Sequence, residues 1–185
     1  MGIDPGVTGA IVALIEGAPM PAIFDMPVDT IVTGTKIKPT RKTVLNAGKL
    51  RYILAQLQRE SPDIYAVVEL TAMRPAIKHT GHDCPICKQP HVIVGAGMAS
   101  TGSFMRAGGM ICGILVGLGI AYEEVASNVW TAEVFHGRSE KLDHRQLAAA
   151  LYPAAAGHLA RVKDDGRADA LLIADYAKRR HHAPF

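Results

Sequence analysis

The stretch that decides the fold is MGIDPGVTGAIVALI, Met1–Ile15, in which Asp4 stands between a short apolar run and the turn-forming Pro5-Gly6. Apolar residues resume after Thr8 and Gly9, so the stretch reads as strand, tight turn and strand, with Asp4 closing the first strand. A carboxylate at that place has two readings. It is a turn residue that hydrogen-bonds its own backbone, or a ligand at the strand end. Only partners elsewhere in the chain separate the two.

Length and composition narrow the options. At 185 residues, 49% hydrophobic and 20% charged, the chain suits one α/β domain over residues 1–185 and is cramped for two. Its most apolar segment, GGMICGILVGLGI, Gly108–Ile120, is Gly-rich and shorter than the about 18 residues of a membrane span. The first residues lack the basic region, apolar core and cleavage site of a signal peptide. A soluble cytoplasmic protein with no membrane partner is therefore expected.

Net charge is +3, which permits a polyanionic partner without requiring one. Lys36, Lys38, Arg41 and Lys42 crowd VTGTKIKPTRKT, Val32–Thr43, and Lys178, Arg179, Arg180, His181 and His182 crowd the last residues. Each cluster reads singly as a solvated loop or a helix end; together they suit phosphate contacts. Three cysteines, an odd number, argue against a disulfide framework and fit a reducing compartment. Cys112 lies in an apolar helical run and reads as a small core residue.

Farther along, MPAIFDMPV, Met20–Val28, offers a third strand, and TVLNAGKLRYILAQLQRE, Thr43–Glu60, a helix with Val44, Leu45, Leu50, Ile53, Leu54 and Leu57 near helical spacing. DIYAVVEL, Asp63–Leu70, has the continuous apolar character of a buried parallel strand and ends at Glu69. Residues 71–97 read as irregular. A Gly-rich helix over Ser100–Ile120, a strand in AYEEVA, short helices in SNVWTAEVF and KLDHRQLAAALYP, and a final helix in RVKDDGRADALLIADYAKRR follow. This order describes a central mixed β-sheet flanked by helices.

In such sheets active groups gather beyond the carboxyl ends of the strands, where Asp4 and Glu69 are expected. Asp165 and Asp169, four residues apart on the last helix, share a face. Four converging carboxylates with no obvious internal cation call for divalent metal, and Mg²⁺ or Mn²⁺ suits oxygen ligands. Two such ions about 4 Å apart activate a water and stabilise the leaving oxygen of a phosphodiester displacement.

GIDPGVTGA, VVEL, STGSFMRAGGMICGILVGLGIAYEEV, the Trp130 segment and KDDGRADALLIADYAKRR, in that order, resemble the RuvC-type Holliday junction resolvases of the RNase H-like superfamily. The similarity is closest to phage-encoded and chloroplast members, and it runs from Gly2 to about Arg180. It implies an RNase H-like fold and a homodimeric endonuclease that makes paired symmetric nicks in a four-way DNA junction, in the cytoplasm of a bacterial host if phage-encoded; an organellar setting stays open. Two divalent metals are implied at Asp4, Glu69 and Asp169, matched position by position. Bacterial members carry the fourth acid or histidine three residues before Asp169, which here is Gly166, so that role passes to Asp165 or to Asp164. Asp165 is preferred for its shared face.

The resemblance also implies that the middle helix lines the junction and forms the dimer contact. Gly102, Gly108, Gly109 and Gly113 then permit close approach of backbone or DNA, or simply tight packing on the sheet. Phe104 and Met73 read as core residues or as an apolar wedge at the crossover. Arg106 joins Phe104 as a candidate DNA contact. Lys141 and Arg145 contact phosphate or sit on a solvated helix face.

One segment departs from the bacterial pattern. HTGHDCPICKQPH, His79–His91, carries Cys84-x-x-Cys87, half of a zinc signature, with His82 and His91 as the remaining ligands of a structural Zn²⁺ and His79 in reserve. A loop insertion at about residues 74–96 cannot build its own core, and a metal would order it. A DNA-reaching loop or a redox dithiol are the alternatives.

Other functions remain in view: a nuclease for other branched DNA or structured RNA, and a junction-binding module without catalysis. The acidic set argues against the module, because four repelling carboxylates weaken binding to phosphate. The Asp4 turn also suits a sugar kinase or actin-like ATPase, but that architecture needs two such domains and an adenosine site.

Overall fold

Ala10, Ile11, Val12 and Ala13 form strand β2 (Ala10–Ala13) and are all fully buried, yet they serve two different cores. Successive side chains of a strand point to opposite faces. Ala10 and Val12 therefore pack on one side of the sheet, Ile11 and Ala13 on the other. Strand β6 (Ala66–Glu69) repeats the division, with Val67 on the first side and Ala66 and Val68 on the second. Burial on both faces is why DIYAVVEL has no polar alternation.

A computed structural model of the chain describes residues 1–35, 39–70, 77–94, 98–136 and 143–181; at 77–82, 90–94, 98–101 and 181 it describes the backbone alone. With β1 (Gly2–Ile3), β3 (Ala22–Asp25) and β9 (Tyr122–Val125), β2 and β6 make a five-stranded sheet ordered β3-β2-β1-β6-β9. The pairs β3–β2 and β2–β1 are antiparallel, and β1–β6 and β6–β9 are parallel. The sheet is mixed, with helices on both faces, as the sequence predicts.

Helices α1 (Ala47–Glu60) and α2 (Met98–Leu118) cover one face, contributing Leu50, Leu54, Leu57, Ile111 and Leu115. Helices α3 (Ser127–Val134), α4 (His144–Leu151) and α5 (Asp165–His181) cover the other. Helix α5 buries Ala168, Leu171, Leu172 and Ala174, the predicted stripe, and adds Ala170, Ile173, Tyr176 and Ala177. It lies so near β1 that a Cβ on Gly2 would run into the Ala170 carbonyl oxygen and the Ala174 nitrogen. Arg167 ties the start of α5 to β3 through a two-pronged pair with Asp25, Nη2 to Oδ2 at 2.7 Å.

The architecture departs from the sequence reading in two places. Val44 and Leu45 belong to a strand, not to α1. They end β5 (Pro39–Leu45), which pairs antiparallel with β4 (Val28–Gly34) in a separate hairpin. Its Val, Ile and Thr content favours strands; α1 starts only after Asn46, whose side chain accepts the Lys49 N–H at 2.8 Å. Part of the predicted basic loop is thus strand, with Arg41 opposite Val32 and Lys42 opposite Ile31. Residues 77–94, read as irregular, form a second hairpin of β7 (Ile77–Asp83) and β8 (Pro90–Val94), with a register shift between His79 and Asp83. Pro, Gly and His interrupted the alternation that would have marked those strands. Among the described residues, no helix is long and apolar enough to cross a membrane.

Candidate active site

The register of the two central parallel strands sets the site. Ile3 pairs with Val68, so the next residues, Asp4 and Glu69, emerge side by side at the carboxyl ends of β1 and β6. Asp4 proves to be a turn residue as well: its Oδ1 accepts the Gly6 N–H at 3.2 Å, and its own N–H donates to Ala10 at 3.0 Å. These bonds fix the carboxyl at the mouth of the sheet, so the two readings of Asp4 are compatible. Burial pushes the Asp4 carboxyl up to about 6 against the stabilising Gly6 N–H, and the charges of Asp169 and Glu69 push in the same upward direction.

Glu69 is raised too, first by burial and then by Asp169, while Ser127, Trp130 and His144 pull the other way. The indole N–H of Trp130 is buried without a well-formed hydrogen bond, and its polar neighbour is this carboxyl. Asp169 reaches the group from α5, where its Oδ1 meets Nδ1 of His144 at 2.5 Å. That pairing, above all, raises the His144 imidazole from its usual range, against its burial, and so favours the charged ring. The ring is held edge-on to Trp130 at 5.5 Å and tilted against Phe135 at 5.2 Å.

His144 faces Asp169, contrary to the expectation of acids with no internal cation. Its signal was slight: one histidine after the helix-capping Asp143, 25 residues before Asp169. Arg145, a candidate phosphate contact in the sequence, is instead engaged by two carboxylates, and its partner Asp165 is not among the charges that act on Asp4 or Glu69. Its Nε lies 2.8 Å from Asp165 Oδ1, an ion pair without hydrogen-bond alignment, and its Nη2 holds Asp143 at 2.7 Å. The Asp165 side chain is 62% exposed.

Asp164 has another occupation. It is buried beneath Arg161, which donates from its backbone N–H at 2.9 Å and from Nη2 at 2.8 Å, and Arg167 stands 3.5 Å away. Arg161 above all holds its carboxyl down at about 2. Gly166, three residues before Asp169, has no room for a side chain: a Cβ there would collide with the Thr8 carbonyl and sit 2.8 Å from Gly9 Cα and 3.1 Å from Asp4 Oδ2.

By donor chemistry, Asp4, Glu69 and Asp169 fit a hard divalent cation, since burial first and the neighbouring acid charges second have raised Asp4 and Glu69. As arranged among the described residues, no three acidic, histidine or cysteine side chains are near enough to share an ion.

Lys42, Phe104 and Arg106, singled out separately in the sequence, line one cleft of about 760 Å³ between the β4–β5 hairpin and α2. Val7, in the turn that follows Asp4, borders it. Arg41 is exposed on β5. Lys36, Lys38, Met73 and Lys141 lie outside the described residues, as do the side chains of His79, His82 and His91. Cys84 and Cys87 are free thiols in the β7–β8 turn, remote in sequence from every acid of the site except Glu69.

The fold is similar to that of a solved structure, Thermus thermophilus RuvC in complex with a Holliday junction substrate, with a TM-score of 0.54, 14% identity, and coverage of 97% of this chain and 94% of that one. The fold is RuvC-like. A second Thermus thermophilus RuvC structure matches with a TM-score of 0.42 at 14% identity, covering 97% of this chain and 95% of that one. No family model matches the chain, and no curated protein does. In this RuvC-like sheet the acids from β1, β6 and α5 gather beyond the strand ends, near enough for their charges to act on one another, at the position where open α/β sheets bind their ligands.

Proposed function

We propose that this chain is a divalent-metal-dependent endonuclease that resolves four-way DNA junctions by paired symmetric nicks, acting as a homodimer. The observation that carries the reading is the gathering of Asp4, Glu69 and Asp169, near enough for their charges to act on one another, at the carboxyl ends of the central strands of a RuvC-like fold. Those three would hold Mg²⁺ or Mn²⁺, two per site in the reading favoured here, and the metal supplies Lewis-acid activation of water and charge stabilisation at the phosphate. His144 orients Asp169 and balances its charge. Arg145 does the same for Asp165, which sits one turn before Asp169 as the fourth acid.

The substrate would lie along the cleft between the β4–β5 hairpin and α2. Lys42 and Arg106 are suited to phosphate, and Phe104, 42% exposed, to a nucleobase. The T. thermophilus RuvC structure, in complex with a Holliday junction substrate, supports junction DNA as the ligand class. The reading takes residues 1–185 as a single nuclease domain, akin to phage-encoded and chloroplast resolvases and working in the cytoplasm.

The test is cleavage of a mobile four-way junction, a replication fork, linear duplex and structured RNA with Mg²⁺, Mn²⁺ or chelator. Symmetric nicks confined to the four-way junction and abolished by chelator are expected. Cutting of forks or RNA instead would overturn the substrate, and tight junction binding without cutting under either metal would overturn the chemistry.

A further inference from the structure

The β7–β8 hairpin leaves the chain just after Glu69 and rejoins it before α2, and nothing in the nuclease reading uses its tip. The two strands form a sheet of their own and, among the described residues, pack chiefly on each other. A lone two-stranded hairpin is marginal in water and needs a staple. Apolar packing is not that staple at the tip, where Ile86 is 92% exposed.

The tip itself is tightly built. The Cys84 N–H donates to the Gln89 carbonyl at 2.8 Å, and the Lys88 N–H donates to the Cys84 carbonyl at 2.9 Å. Lys88 adopts φ of 57°, a left-handed conformation uncommon for a residue with a Cβ. This shape curls the backbone round the Cys84 sulfur, so that the N–H groups of Cys87 and Ile86 both donate to it, and the Cys87 thiol is in hydrogen-bond contact as well. Backbone donors aimed at a sulfur favour the thiolate, the form that ligates metal. Neither cysteine is buried in a core, and the pair is not joined as a disulfide.

The register adds the remaining positions. Asp83 pairs with Pro90, and His82, within the register shift that separates Asp83 from His79, and His91 adjoin that pair in sequence, one on each strand. The CxxC turn and the backbone positions of two histidines therefore lie at one end of the hairpin, the residue types of a Cys₂His₂ set. We propose that the β7–β8 tip binds one structural Zn²⁺ through Cys84, Cys87, His82 and His91. Two thiol protons leave on binding, and the site of two thiolates and two neutral imidazoles is then uncharged with zinc in place. The ion closes the hairpin and so makes a rigid finger of the segment between β6 and α2.

Zinc content is read without any nuclease assay, so failure of this proposal and failure of the resolvase reading are separate results. Full-length protein purified from zinc-containing medium without chelator should carry about one zinc per chain, released when the thiols are titrated with a mercurial. Cys84→Ser, Cys87→Ser and the paired variant His82→Ala with His91→Ala should each lose it, and Cys112→Ser, in α2, should keep it. Because those variants can fail to fold, unaltered protein stripped of metal and titrated with Co²⁺ gives a second reading, in which thiolate-to-cobalt and tetrahedral ligand-field bands are expected. Zinc well below stoichiometric together with no such bands would overturn the proposal. A Cys84–Cys87 disulfide in the native protein would overturn it in favour of a redox dithiol, and zinc retained in the paired histidine variant would overturn the ligand set.

Discussion

Gly166→Ala tests the close approach on which the active site depends. In an open helix, alanine in place of glycine stabilises by about 1 kcal/mol. At Gly166 the added methyl meets the Thr8 carbonyl, Gly9 Cα at 2.8 Å and Asp4 Oδ2 at 3.1 Å. Two of these three are backbone of the β1–β2 turn and cannot swing aside, so the overpacking cost belongs near the top of its usual range, about 3 kcal/mol. The net loss is then about 2 kcal/mol. For a chain of this size each kcal/mol moves Tm by about 2–4 °C, so a fall of about 4–8 °C is expected. Cleavage should fall as well, because the methyl crowds the Asp4 carboxyl. Gly117→Ala, also helical but in open space, is the control and should raise Tm by up to about 4 °C. Differential scanning fluorimetry with junction cleavage reads both. A Gly166→Ala protein with unchanged or higher Tm and full activity would refute the packing of α5 on the Asp4 turn.

The remaining predictions rest on charge. Asp4→Asn or Glu69→Gln should cut cleavage by about 10²–10³-fold with junction binding retained, and full cleavage would remove the metal assignment. Without metal, Asp4→Asn should also be more stable than the parent at pH 7 by about 1–3 kcal/mol in urea titration, because it removes a carboxylate whose burial has pushed it up to about 6; no gain would show that the carboxyl is not strained. His144→Ala should cost about 1–3 kcal/mol, since it leaves a space between Trp130 and Phe135 and an unpaired Asp169; unchanged stability and cleavage would deny it a role. Asp164 is held down at about 2 from 3.8, so the stability it adds is complete above pH 3.8 and is lost as pH falls toward 2. Asp164→Asn should therefore be less stable at pH 7 by about 1–2 kcal/mol, discounted for the exposed Arg161 side, and the gap should close between about pH 4 and pH 2; a constant gap would place the effect elsewhere.

The legibility of the chain follows the range of the interactions. The strand–turn–strand of Met1–Ile15 and the buried strand at Ala66–Glu69 were readable because their apolar runs and turn residues are local. The start of α1 was misplaced because Val44 and Leu45 fit helical spacing equally well, and only pairing with Val28 and Asp29 claims them for a strand. The β7–β8 hairpin was read as irregular because proline, glycine and histidine obscured its alternation.

The sequence by itself determined that acids end the first strand and the parallel strand of Glu69, that an acid pair marks the last helix, and that a CxxC turn interrupts the middle. Each is a property of neighbours in the chain. The tertiary structure decided which of these groups meet. The Ile3–Val68 register sets Asp4 beside Glu69, the crossing of α5 over the Asp4 turn brings in Asp169 and forbids a side chain at Gly166, and the seating of α4 delivers His144 to Asp169 and Arg145 to Asp165. Periodicity along one chain says which face of an element is buried; the angle and register at which two buried faces interlock depend on side chains from both, and those settle where the charges come together.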